Sequence, residues 1–168
     1  MDEPIELSSG ELSYDFVDGK LALCDYADLE VACTAMVESA GEAGIEFDAV
    51  GGLTLGADHL AIGIAAVARC RWFFVRKEPK GRGTGRQIEG ARIGGGDRVF
   101  IVDDAVTSGG SILQAHDVVA ATGATVVGAS TLIDRSELAR PKFEALGVPY
   151  LPMATYRDLG IEPVGLNG

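Results

Sequence analysis

The sequence predicts an α/β domain with a mostly parallel, twisted sheet flanked by helices. Three observations predict it. Apolar runs of strand length recur along the chain, stretches with helical spacing of apolar residues separate them, and short glycine or polar turns join the two. Strands alternating with helices imply right-handed crossovers that cover both faces of the sheet. At 168 residues the chain fits one domain, 1–168, long enough to bury a sizeable core.

Residues 5–18 (IELSSGELSYDFVD) alternate roughly between apolar and polar around Ser9-Gly10, which predicts two short strands. From Tyr26 to Ala43 the spacing is helical, with Leu29, Ala32, Cys33, Met36, Val37 and Ala40 on one face and Gly41 and Gly44 bracketing the end. Asp48–Gly52 reads as a strand entering a glycine turn, 57–70 as a helix and Trp72–Val75 as a strand. Lys77–Gly96 holds seven glycines and no periodic apolar face, so it reads as a long mobile loop. A strand at Arg98–Val102, a polar loop and a helix at 110–121 come next. Thr125–Ile133 is a further strand, Leu138–Leu146 a short helix and Tyr150–Met153 a last strand.

Composition narrows the function. With 47% hydrophobic and 23% charged residues the chain is neither disordered nor membrane-spanning, since no apolar run approaches bilayer length. The N-terminus lacks a basic stretch followed by an apolar one, so no secretory signal is expected. Cys24, Cys33 and Cys70 are odd in number and form no CxxC, which suits thiols in a reducing cytoplasm. The net charge of −11 argues against nucleic-acid binding. Yet Arg76, Lys77, Lys80, Arg82, Arg86 and Arg92 face only Glu78 and Glu89 within 76–92, leaving that segment at +4. A basic flexible segment on an acidic body predicts a small polyanionic ligand. No His/Cys cluster suggests zinc, and no protein-ligated metal site is expected.

The chemistry concentrates in RVFIVDDAVTSGGSILQAHDVV, residues 98–119. A strand is read as ending in Asp103 and Asp104, and Thr107, Ser108, Gly109, Gly110 and Ser111 open a helix. Glycines let backbone N–H groups approach a phosphate, and the helix N-terminus adds partial positive charge. Two carboxylates would repel a triphosphate, but they are strong acceptors for sugar hydroxyls. Phosphate at one end and diol at the other specify ribose 5-phosphate. A single Asp after a strand commonly caps the next helix; a pair followed by TSGGS points to a ligand instead.

VFIVDDAVTSGGS resembles the phosphoribosyl-pyrophosphate (PRPP) signature of type I phosphoribosyltransferases. ELSSGELSYDFVD resembles the N-terminal hood of the orotate phosphoribosyltransferase family, about residues 5–20. AVGGLTLGAD is similar to its pyrophosphate loop, FVRKEPKGRGTGRQIEG to its mobile catalytic loop, and TLIDRSELARPKFEALGVPYL to its strand and helix after the ribose loop. The resemblance implies the type I phosphoribosyltransferase fold and Mg²⁺-dependent formation of orotidine 5′-monophosphate from orotate and PRPP. It implies a homodimer; no membrane partner is expected, since no apolar run reaches bilayer length. It places the ribose hydroxyls on Asp103 and Asp104, and the 5′-phosphate on Ala105, Val106, Thr107, Ser108, Gly109, Gly110 and Ser111. Arg76, Lys77, Lys80 and Arg82 would hold pyrophosphate, with Lys80, Arg82, Asp103 and Asp104 as the catalytic set. Ser8, Phe16, Val17, Thr107 and Arg135 would surround orotate. The sequence departs from the family pattern at Arg82, where His is usual, at Ser8, where Lys is common, and at Val17, where an aromatic is common. The alternatives are another base as acceptor, or a regulator that senses PRPP without catalysis; retention of Lys80 favours the enzyme.

Overall fold

A computed structural model describes residues 4–6, 12–79 and 86–165. Its main sheet has six strands in the order β5 (Ile88–Gly90), β4 (Arg71–Val75), β3 (Ala49–Leu53), β6 (Arg98–Val106), β7 (Thr125–Asp134) and β8 (Tyr150–Thr155). All neighbours are parallel except β4 and β5. Helices α2 (Tyr26–Glu42) and α3 (Asp58–Ala68) cover one face, and α4 (Gly110–Ala120) and α5 (Arg140–Leu146) the other. A small antiparallel pair, β1 (Ile5–Glu6) with β2 (Leu12–Ser13), and the four-residue helix α1 (Gly19–Ala22) precede them.

Side-chain alternation along β6 builds both cores. Val99 and Ile101 join Phe73, Val75, Ile112, Val119 and Phe143 on one face. Phe100 and Val102 join Met36, Leu60 and Ile64 on the other. This is the period-two geometry of a strand buried on both sides. Truncating a fully buried phenylalanine such as Phe100 to Ala costs about 3–5 kcal/mol. In α2 the predicted face is the buried one, with Cys33, Met36 and Ala40 inside and Leu29 and Val37 packed against them.

The structure corrects two readings. The span 77–96 is not loop throughout, because Ile88–Gly90 pairs antiparallel with Val75–Phe73. Three residues are too few to carry a periodic signal, and Ile88, Ala91 and Ile93 pack on the core from this edge. Strand β6 also does not stop at Val102. It continues through both acids to Val106, and β7 pairs with it as far as Asp134, so ladder bonds carry the backbone past the carboxylates.

Candidate active site

The loops after β3, β4, β6 and β7 all emerge at the carboxyl edge of the sheet. Chain direction reverses in the sheet order between β3, whose crossover α3 leads outward to β4, and β6, whose crossover α4 leads outward to β7. Such a switch point opens a crevice beyond the strand ends where ligands bind. Asp103 and Asp104 line it from β6, and the turn Thr54–Ala57 lines it from β3.

The two acids are nearly inaccessible, at 4% and 9% exposure. Asp103 Oδ1 accepts from the Asp104 N–H at 3.0 Å, and Asp104 Oδ1 accepts from the Ala105 N–H at 2.8 Å. Burial, and then the neighbouring Asp104 charge, push the Asp103 carboxyl up to about 7. Lys20 of α1 donates to Asp104 Oδ2 at 2.8 Å. Gly56 makes the pair's approach possible, because a Cβ there would fall on Asp103 Oδ1 and lie 2.6 Å from Asp104 Oδ1.

Beyond the acids, Thr107–Gly109 turns into α4. Gly109 has φ 83°, a left-handed conformation suited to glycine, and the first turn of α4 contains no acidic side chain to oppose an anion. Ser136 Oγ donates to the Thr107 carbonyl and Lys142 Nζ to the Ser108 carbonyl, each at 2.6 Å, so the turn is pinned from the β7–α5 side. A cavity of about 480 Å³ is lined by Lys77, Asp103, Ala105, Val106, the turn Thr107–Gly109 and Gly110–Ser111.

Lys77 also borders a second cavity, of about 880 Å³, with Thr54, Leu55, Arg76 and Glu89. The Arg76 and Lys77 backbone is held in place. Gln87 Nε2 donates to the Arg76 carbonyl at 2.9 Å, and Gln114 Nε2 to the Lys77 carbonyl at 2.7 Å. Arg76 pairs loosely with Glu89, at 3.7 Å. Lys80 and Arg82 lie outside the described residues.

Arg135 directly follows β7. It is 3% exposed, yet among the described residues its Nε and Nη2 have no hydrogen-bond partner, and Nη1 donates to the Asp15 carbonyl at 3.2 Å. Burial lowers its pKa. Asp15 immediately precedes the exposed Phe16 and half-buried Val17, so the segment after β2 meets the residue after β7 here. The Arg135 N–H donates to the Val106 carbonyl, next to Thr107. Ser8 lies outside the described residues.

Residues 26–148 match the family model for the phosphoribosyl transferase domain. An orotate phosphoribosyltransferase of Streptomyces avermitilis is 46% identical over 164 residues, covering 94% of this chain and 88% of the relative. The chain belongs to the orotate phosphoribosyltransferase family. Solved orotate phosphoribosyltransferases share its fold. That of Aeropyrum pernix superposes with TM-score 0.79 at 34% identity, covering 94% of this chain and 90% of that one. The Mycobacterium tuberculosis enzyme in complex with PRPP gives 0.77 at 35% identity, with the same coverage.

Within this orotate phosphoribosyltransferase fold, four residues at the site carry no signal that sequence reasoning picked out: Lys20, Gly56, Gln114 and Lys142. Lys20 meets its acid across 84 positions, a contact with no local signature. Gly56 sits in the segment similar to a pyrophosphate loop, and being a glycine there was the available clue.

Proposed function

We propose that this chain transfers ribose 5-phosphate from PRPP to orotate, giving orotidine 5′-monophosphate and pyrophosphate in pyrimidine synthesis. One observation carries the base assignment: the buried Arg135 guanidinium, with two nitrogens unpartnered among the described residues, on a residue whose N–H bonds the Val106 carbonyl where the phosphate turn begins. A buried cation without protein partners is costly. A ligand carboxylate gripped in bidentate fashion supplies what is missing, and orotate carries one.

In this reading the hydroxyls of the ribose sit on Asp103 and Asp104, and its 5′-phosphate sits against Ala105–Ser111. Phe16, Val17, Thr107 and Ser8 flank the base. As the bond from C1 to diphosphate breaks and the bond to the base nitrogen forms, positive charge grows on the sugar and negative charge on the leaving group. Arg76, Lys77, Lys80 and Arg82 stabilise the diphosphate as it departs. Arg82 contributes charge but no proton near neutral pH.

Mg²⁺ fits this donor set as a substrate-borne ion. Among the described residues no group of three or more His, Cys, Asp or Glu could cage a metal, while Asp103 and Asp104 offer hard oxygens close by. Bound on the diphosphate, the ion would neutralise part of the leaving group's charge, with Asp103 and Asp104 as the carboxylates that would receive it. We also propose a homodimer, supported by the large apolar side chains Leu55, Ile62 and Trp72 left exposed on and around α3 and β4. The three free thiols suit a cytoplasmic setting.

The test is spectrophotometric consumption of orotate with PRPP and Mg²⁺. If orotate is not consumed while another base releases pyrophosphate from PRPP, the base assignment is lost.

A further inference from the structure

Helix α1 has a placement that packing does not explain. It is four residues long, Gly19 is its one buried residue, and Leu21 is 71% exposed. Its N-terminus is nonetheless fixed. Asp18 Oδ1 accepts from the N–H groups of Lys20 and Leu21, each at 3.1 Å, and caps the turn. Gly19 then lets the helix lie directly on β6, since a Cβ there would stand 3.0 Å from the Asp104 Cβ. The result is that Lys20, with a half-exposed stem, sets its ammonium 2.8 Å from a nearly buried Asp104 oxygen.

We propose that Lys20 is a PRPP-binding residue that exchanges partners: it neutralises Asp104 in the free site and turns to the diphosphate when ribose hydroxyls take that carboxylate. The inference rests on the ribose site proposed above. The geometry favours the exchange. In PRPP the diphosphate is on C1 and a hydroxyl on the adjacent C2, so a cation on the diol carboxylate is one side-chain rotation from the leaving group. The other acid within ion-pair reach of Lys20 among the described residues is Asp18, whose carboxylate is 3.9 Å away and already caps α1. An exposed, flexible ammonium moves between acceptors at small cost, and it arrives as a point charge that suits phosphate oxygens. The exchange also means that the free site never presents two uncompensated acids to an incoming polyanion.

The test compares two ligands on K20M and K20R by calorimetry with Mg²⁺ present, together with steady-state kinetics. Ribose 5-phosphate has the diol and the 5′-phosphate but no diphosphate. K20M is expected to weaken PRPP binding and raise its KM tenfold or more, to leave ribose 5-phosphate binding within about twofold, and to be largely rescued by K20R. Equal weakening of both ligands would mean that Lys20 only positions Asp104, and unchanged PRPP affinity would mean it plays no part; either overturns the inference. Normal ribose 5-phosphate binding also shows that K20M has folded. If the unaltered protein bound PRPP but turned over no orotate, the proposed function would fail while this comparison stayed readable.

Discussion

Replacing Arg135 with Met separates ligand binding from folding. Among the described residues, Nε and Nη2 are buried without partners, and one bond, to the Asp15 carbonyl, holds the group. Each unsatisfied buried donor costs about 1–3 kcal/mol, and a hydrogen bond from a charged group contributes about 1.5–3 kcal/mol. Removing the guanidinium therefore relieves about as much as it forfeits, and Met keeps most of the stem's apolar contact. Stability is expected to fall by no more than about 1 kcal/mol, or about 2–4 °C in Tm for a domain of this size. Orotate binding is expected to suffer far more. Two charge-assisted bonds to a carboxylate, made by a group whose desolvation folding has already met, are together worth about 3–6 kcal/mol. At about 1.4 kcal/mol per tenfold, the KM for orotate rises at least 100-fold while the KM for PRPP moves little. The assay is orotate titration at saturating PRPP, beside thermal unfolding of both proteins. An unchanged orotate KM, or a fall in Tm beyond about 10 °C, would show that Arg135 serves the fold instead.

The acid pair and the loop carry further expectations. Asp103 is pushed up to about 7 in the folded protein from an ordinary 3.8, so between these values the folded state holds a proton that the unfolded state has released. Stability from this group is greatest below about pH 4 and declines as pH rises to about 7. The Tm of D103N relative to the unaltered protein should therefore climb across that window and flatten above it; a flat difference throughout would contradict the burial argument. G56A should place a Cβ on both carboxylates, raising the KM for PRPP at least tenfold and costing about 1–3 kcal/mol of stability, as overpacking does. An unaffected KM would remove Gly56 from the site. K80A should lower kcat by 100-fold or more, on the scale of losing one transition-state charge contact; intact turnover would end the leaving-group role given to the loop cations.

The long periodic elements were legible in the sequence because burial on one or two faces writes itself into residue spacing. Helix α2 and strands β3, β4 and β7 lie within a residue or so of their expected bounds. Strand β5 was not legible, since three residues on a sheet edge leave no period. The length of β6 was hidden for a different reason: a carboxylate inside a buried strand contradicts hydrophobic patterning, and it is tolerated here because Lys20 and backbone N–H groups meet the pair. That Asp103 and Asp104 break the local rule is itself the mark of a functional place. The glycine turn into α4 was readable from TSGGS alone. Arg135 was suggested by family resemblance, and its unpartnered nitrogens give that suggestion an independent physical basis. Lys20 was out of reach, because an ion pair between distant segments exists only once the chain has folded.

The most direct measurement is a crystal structure of this protein with PRPP bound. The sugar hydroxyls are predicted to lie within hydrogen-bond distance of the Asp103 and Asp104 carboxylates, with the 5′-phosphate against the N–H groups of Thr107–Ser111. Density for PRPP elsewhere, with that turn unoccupied, would contradict the ribose-site assignment at its root.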